Sequence, residues 1–231
     1  MSVHTDKAYE AELRALRERL LGMGGRVEQA IAASVRAIAE RDSSLAEQVK
    51  AKDREINRME VEIDGMCRRI LALRQPAASD LRFITTALKI VTDLERMGDL
   101  AVNVADRALD LNQAPPLGPI HELSKIADLA EAQLKKALDA FVTGDVAKAE
   151  EVMRGDDLID ALYLKIFNDM LVRMMEDSKT IRRATSTMFA AKHLERFGDH
   201  ATNLAEMVIY MVRGQDVRHP KSRVREEEPD L

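Results

Sequence analysis

Apolar positions recur three and four residues apart along most of this chain. That is the spacing of one helical face, and the pattern stops at prolines and turn residues. Between those stops it predicts six helices, over residues 7–40, 45–74, 79–112, 119–142, 145–175 and 179–213. Pro76 closes the second, Pro115, Pro116 and Pro119 cluster in APPLGP at mid-chain, and Pro220 and Pro229 lie near the end. None sits in a helix interior, where proline costs about 3 kcal/mol. Asp80 and Ser178 stand where caps are expected, and Gly144-Asp145 makes a turn between the fourth and fifth helices. The first helix carries Gly22-Met23-Gly24-Gly25. Each glycine weakens it by roughly 1 kcal/mol, so a kink, a break or a close helix crossing is expected there. After Gly214 the periodicity ends, and QDVRHPKSRVREEEPDL reads as a mobile tail.

The two halves repeat. Residues 94–106 read LERMGDLAVNVAD and residues 194–206 read LERFGDHATNLAE, with eight of thirteen positions identical at an offset of 100. The match extends upstream through Arg82/Arg182 and Thr85/Thr185, and on the preceding helices Asp53 and Asn57 correspond to Asp156 and Asp160. The expected fold is all-α: two tandem, similar three-helix bundles over residues 1–114 and 115–214, followed by a charged tail over 215–231. Bundle packing supplies the cores, since no single amphipathic helix is stable alone.

Composition works mainly by exclusion. Of 231 residues, 46% are hydrophobic and 32% charged, too apolar a mixture for a disordered chain. With 35 Lys plus Arg against 40 Asp plus Glu the net charge is -5, which disfavours nucleic-acid binding. No run is long and apolar enough for a membrane span, and the first twenty residues lack the apolar core of a signal peptide, so a cytosolic protein is expected. Cys67 is the single cysteine, read as a small apolar helix residue; no internal disulfide or Cys-based zinc site follows from it. Trp is absent and helix formers dominate.

The candidate chemistry lies in the repeated segment. Glu95, Asp99 and Asn103 are four apart, and Glu195, Asp199 and Asn203 repeat the pattern. Residues so spaced share a helical face, with Cβ atoms about 5–6 Å apart. Leu81, Leu88, Glu95 and Val102 form one row at steps of seven, and Thr85, Thr92, Asp99 and Asp106 the next. A partly apolar stripe thus turns acidic without changing side, while Arg82, Lys89, Arg96 and Arg107 gather on a solvated arc. Like charges at this spacing cost about 0.2–0.5 kcal/mol even when exposed. Burial adds to that unless a cation or a proton compensates.

The second helix offers a facing set, Asp53, Asn57, Glu60 and Asp64; in the second half Asp156 and Asp160 are followed by Tyr163 and Phe167. If these faces meet, each bundle holds oxygen-rich rungs suited to Mg, Mn, Ca or iron, with zinc less natural in the absence of His or Cys ligands. The alternative is a solvated face salt-bridged to Arg96 and Arg196. Recurrence of the motif at equivalent places favours the cation. Gly98 and Gly198, each directly before the Asp, suggest close approach of a helix or ligand. His193 and His200 flank the second motif, but the first half has Asp93 and Leu100 there, which argues against a shared metal role. Met170, Met174 and Met175 read as core fillers. No Walker motif, GxSxG, HExxH or CxxC occurs, and no ExxH, the pair a ferritin-like di-iron oxidase carries.

LERMGDLAVN, LERFGDHATN and RQPAASDLR at residues 74–82 resemble the PhoU family of bacterial phosphate-uptake regulators, over about residues 7–213. The resemblance implies two three-helix bundles and a cytoplasmic, non-enzymatic protein that restrains phosphate-starvation signalling and reaches the inner membrane only through partners. The implied partners are the ATPase subunit of a phosphate ABC transporter, a phosphate-sensing histidine kinase and a second copy of the chain; nucleic acid and membrane insertion are not implied. Family members place E/DxxxD motifs at multinuclear metal sites. Carried over, these are Glu95, Asp99 and Asn103 facing Asp53 and Asn57, and Glu195, Asp199 and Asn203 facing Asp156 and Asp160. The metals are iron, Mn or Mg, with Zn a weaker fit. Asn57 stands where the other half has Asp160, so the first site should hold its metal less tightly. Two other readings compete: a carboxylate-bridged metalloenzyme acting on phosphoesters, for which no general base can be named, and a metal-free helical adaptor.

Overall fold

Each of the six expected helices forms, and the fifth divides at Gly155. The structure, a computed structural model, describes residues 7–118, 121–215 and 217. The first half consists of α1 (Lys7–Ala39), α2 (Ser43–Arg74) and α3 (Ala78–Asn112). The second consists of α4 (His121–Thr143), α5 (Val146–Arg154), α6 (Asp156–Glu176) and α7 (Ile181–Arg213), with one 3-10 turn at Ser178–Thr180. No strand occurs among the described residues. The chain is all-α. The expected helix start at Pro119 and nearly all of the charged tail lie outside the described residues.

Local chemistry explains most boundaries. The Asp42 side chain accepts a hydrogen bond from the Leu45 N–H at 3.0 Å and so caps α2. That helix ends on Gln75 in the left-handed region, one residue before Pro76. Gly144 supplies a φ of +67°, and Asp145 then caps α5 through the Lys148 N–H at 3.1 Å. The other two caps differ from expectation. The N-cap of α3 is Ala77, without a side-chain bond; Asp80 sits in the first turn and accepts from the Tyr9 hydroxyl at 3.0 Å. Before α7 the capping side chain is Asp177, which accepts from the Lys179 N–H at 2.9 Å, and Ser178 opens the 3-10 turn. Asp42→Ala should lower stability by about 1 kcal/mol in denaturant unfolding, the usual worth of such a cap.

The core is continuous across both halves. It runs from Leu16, Leu20 and Ile31 through Ile63, Ile90 and Leu94 to Leu134, Phe141, Phe197 and Val208. α3 lies along α7 and α1 along α4, so the halves share a hydrophobic seam rather than hanging from the linker. Gly24 is where α1 and α4 touch: a Cβ there would collide with Leu138 Cδ1. The glycine run is therefore a close crossing inside an unbroken helix. Arg82, expected on the solvated arc, donates instead to the Met211 carbonyl at 3.0 Å and ties α3 to α7. Arg41 and Arg183 hold the linker through the carbonyls of Ala114 and Pro115, at 2.6 and 2.8 Å. Cys67 is fully buried, as is Met170 nearly so, but Met175 is 79% exposed and fills no core.

Candidate functional site

The acidic rows lie where α3 meets α2 and where α7 meets α6, and a glycine sets the spacing in each. At Gly98 a Cβ would stand 3.1 Å from Ile56 Cδ1 and 3.4 Å from Asp53 Oδ1. At Gly198 it would stand 2.9 Å from Ile159 Cδ1 and 3.6 Å from Gln133 Oε1. The neighbour that these glycines admit is thus a helix, whose acid-bearing turn is brought against the ERxGD segment.

In the first half Asp53 is half-buried. Its Oδ2 accepts from Asn57 Nδ2 at 2.9 Å, while its Oδ1 is buried with no hydrogen-bond partner. Burial raises its pKa, the Asn57 bond opposes the rise, and the charge of Asp99 adds to it. Glu95 is raised first by burial and then by Asp99, against Arg96, with smaller pushes from Glu60 and Asp53. Arg96 lies 3.6 Å from Glu95 and 3.8 Å from Asp99, too far for hydrogen bonds. Asp64 is drawn off by an ion pair with Arg68, and Asn103 is exposed.

The second half is the more charged. Asp156 stands in the first turn of α6, with Oδ1 buried and unpartnered. Its pKa is pushed up to about 6, mostly by burial, then by Asp199 and Asp160, against the nearby Thr202 hydroxyl, and by Glu195. Glu195 is 12% exposed; one oxygen meets Lys192 Nζ and the other, Oε2, is buried without a partner. Asp199 is raised by partial desolvation and by Asp160, against Lys192, His200 and Arg196. Asp199 is exposed as a residue, so solvent discounts its rise relative to that of half-buried Asp156. The cation paired with Glu195 is Lys192, not the Arg196 of the alternative solvated-face reading. Buried Gln133 on α4 reaches the same region and was missed; the signal was a polar residue among Ala130, Leu134 and Ala137 on a core face.

Asn203 does not join this cluster. It lines an open groove between α3 and α7 together with Thr92, Asp93 and Met207. There His200 Nδ1 lies 2.7 Å from Asp93 Oδ1, linking the halves. His193 is part-buried, its Nδ1 unpartnered, and its pKa is lowered by burial and by the charges of Arg196 and Arg107. Asp93→Leu should cost about 1–3 kcal/mol by stranding His200, and adding His200→Leu should recover most of it. A double-mutant cycle in urea checks this; additive losses would contradict it.

As they stand, no three His, Cys, Asp or Glu side chains among the described residues gather closely enough to hold a metal ion. The donors suit a hard cation even so. The ERxGD rows and their facing acids offer carboxylate oxygens, and Asp53 Oδ1, Asp156 Oδ1 and Glu195 Oε2 are buried without partners. Burial and mutual repulsion raise the pKa values of Asp53, Glu95, Asp156 and Asp199, a strain that a positive ion would relieve.

Residues 20–108 and 123–208 each match the PhoU domain. A protein of Pseudomonas putida named phosphate-specific transport system accessory protein PhoU homolog is 46% identical over 218 residues, covering 94% of this chain and 85% of that protein. The crystal structure of PhoU from Pseudomonas aeruginosa superposes with a TM-score of 0.86 at 44% identity, over 90% of this chain and 100% of that one. The phosphate transport system regulatory protein PhoU from Streptococcus pneumoniae gives 0.83 at 31% identity, over 90% and 99%.

Proposed function

The chain belongs to the PhoU family, and from that premise we propose that it is an accessory protein of phosphate uptake that acts by protein–protein contact. In this reading it restrains phosphate-starvation signalling by engaging the ATPase subunit of a phosphate ABC transporter and a phosphate-sensing histidine kinase, in the cytoplasm and as a homodimer. The observation that carries the reading is likeness along nearly the whole chain, in both halves, to relatives named as accessory and regulatory proteins of phosphate transport. One further feature agrees with it. No helix among the described residues is long and apolar enough to cross a membrane. The relatives are named as accessory and regulatory proteins, so contact rather than catalysis is the activity proposed.

The metal belongs to the same proposal. Asp156, Glu195 and Asp199, with Asp160 at the edge, would hold a cation in the second half; Asp53, Glu95 and Asp99 would do so in the first. A bound cation would supply charge neutralisation and open coordination positions for an oxygen ligand from a partner or from phosphate. The chain's own part is to hold the carboxylates at a fixed spacing on two packed helices. Asn57 clips Asp53 and brings no charge, so the first site should bind less tightly. Asn103 and Asn203 bring no charge and Asn203 lines the α3–α7 groove, so neither is given a part here.

The test is pull-down of the ATPase and the kinase with Glu95→Ala/Asp99→Ala and with Glu195→Ala/Asp199→Ala, alongside phosphate-responsive expression. Both readouts should weaken, the second pair more. Unchanged binding with unchanged expression would remove the acidic faces from the mechanism, and failure of the wild-type chain to bind either partner would remove the interaction reading.

A further inference from the structure

α6 is apolar on two sides. Ile159, Ile166 and Met170 turn into the core. On the opposite side Leu158, Leu164, Leu171, Val172 and Met175 are 53%, 56%, 39%, 47% and 79% exposed. Ala161, Leu164, Asn168, Leu171 and Met175 follow one another at steps of three, four, three and four, the spacing of a coiled-coil seam with one polar position at its middle. Packing inside the bundle does not require this. At the repeat offset of 103 set by Asp53/Asp156, α2 carries Glu55, Arg58, Arg68 and Arg69 where α6 carries Leu158, Ala161, Leu171 and Val172. Leu164 and Met175 correspond to Val61 and Ala72, so α2 is apolar at two of these six places where α6 is apolar at all six.

Charge says what fits. Asp157, Asp160, Asp169 and Glu176 lie on the exposed side of α6. Its two cations are engaged elsewhere: Lys165 pairs with Glu122, and Arg173 donates to the Leu117 carbonyl. Beside Val172 an open pocket of about 420 Å³ is lined by Met170, Val172, Arg173, Asp169 and Glu176, and by Glu122, which Lys165 neutralises. A second copy of α6 would set these acids against their own kind. We propose that this face is a docking surface for an amphipathic helix of another protein, one whose apolar stripe covers Leu164, Leu171 and Met175 and whose basic side chains meet the acidic rims and the pocket. The proposal deepens the interaction reading above and rests on it only in assuming a protein partner.

The test needs neither the transporter nor the kinase, so its failure is separable from failure of that reading. A fluorescent synthetic peptide of leucine and lysine at helical amphipathic spacing is titrated with the full chain and followed by anisotropy. Saturable binding is expected, weakened about tenfold or more by Leu164→Gln/Leu171→Gln. Val61→Gln/Leu73→Gln on α2 should leave it unchanged. A matching leucine–glutamate peptide should bind no better than the α6 variant allows. The substituted side chains are exposed, and circular dichroism verifies that each variant folds. Absence of binding, equal loss in both variants, or equal binding of the acidic peptide would overturn the proposal. So would self-association in sedimentation equilibrium that Leu164→Gln/Leu171→Gln abolishes, because a second copy would then cover the face.

Discussion

Phe197→Ala should destabilise the fold by about 3–5 kcal/mol, the range for emptying an aromatic site in a closed core. Phe197 is fully buried in α7, between Glu195 and Asp199 in the same turn. Residues two apart on a helix point about 160–200° apart, so the cavity opens in the core on the far side of α7 from both carboxylates. The repeat supplies the control. Met97 occupies the corresponding place in α3 and is equally buried. Phe197→Met keeps most of the volume and should cost less than about 1.5 kcal/mol. Urea unfolding of both variants measures the difference. Equal losses would mean that the core requires the ring itself rather than filled space.

The second large effect is the coupling of metal, pH and Asp156. Its folded pKa of about 6 lies above the ordinary 3.8. A group shifted upward stabilises the fold fully below its unfolded pKa, and that contribution is lost as pH rises through the folded value. Metal-free protein should therefore lose stability between about pH 4 and 7 through this carboxyl. A cation favours the charged form and reverses the trend. Mn2+ should raise Tm at about pH 7.5 and do little at about pH 5, where the proton competes with it. At a hundred times its Kd an ion adds about 2.7 kcal/mol. Asp156→Asn should flatten the pH dependence of the metal-free protein and remove most of the Mn2+ response. A thermal-shift matrix of pH and Mn2+ for wild type and Asp156→Asn reads all of this. A Mn2+ response that Asp156→Asn leaves whole would place the ion elsewhere.

Helices and repeat were legible because both are written in spacing. Apolar period and proline position marked every helix but one boundary, at Gly155, where Arg154-Gly155-Asp156-Asp157 places two acids in a new first turn. Caps were harder, because a residue near a helix start has other uses: Asp80 answers Tyr9. The acidic rows could be read, but not their full extent. A step of four residues overshoots one turn by about 40°, so a third member lies about 80° around from the first. That rotation carries Asn203 from the α6 side into the α3 groove. The choice of Lys192 over Arg196 for Glu195 depends on which side chain reaches the buried oxygen across one turn, which spacing alone does not settle. The exposed face of α6 was hidden for a related reason: a helix apolar all round reads as core, and Met175 was placed there.

Paired carboxylates on packed helices should hold a cation. Anomalous diffraction from crystals of the protein grown with Mn2+, collected on both sides of the manganese edge, tests it most directly. A peak is expected between α6 and α7 beside Asp156 and Glu195, with a weaker one between α2 and α3 beside Asp53. Lys192 and ordered water alone at Glu195, with no anomalous density at either place, would contradict it.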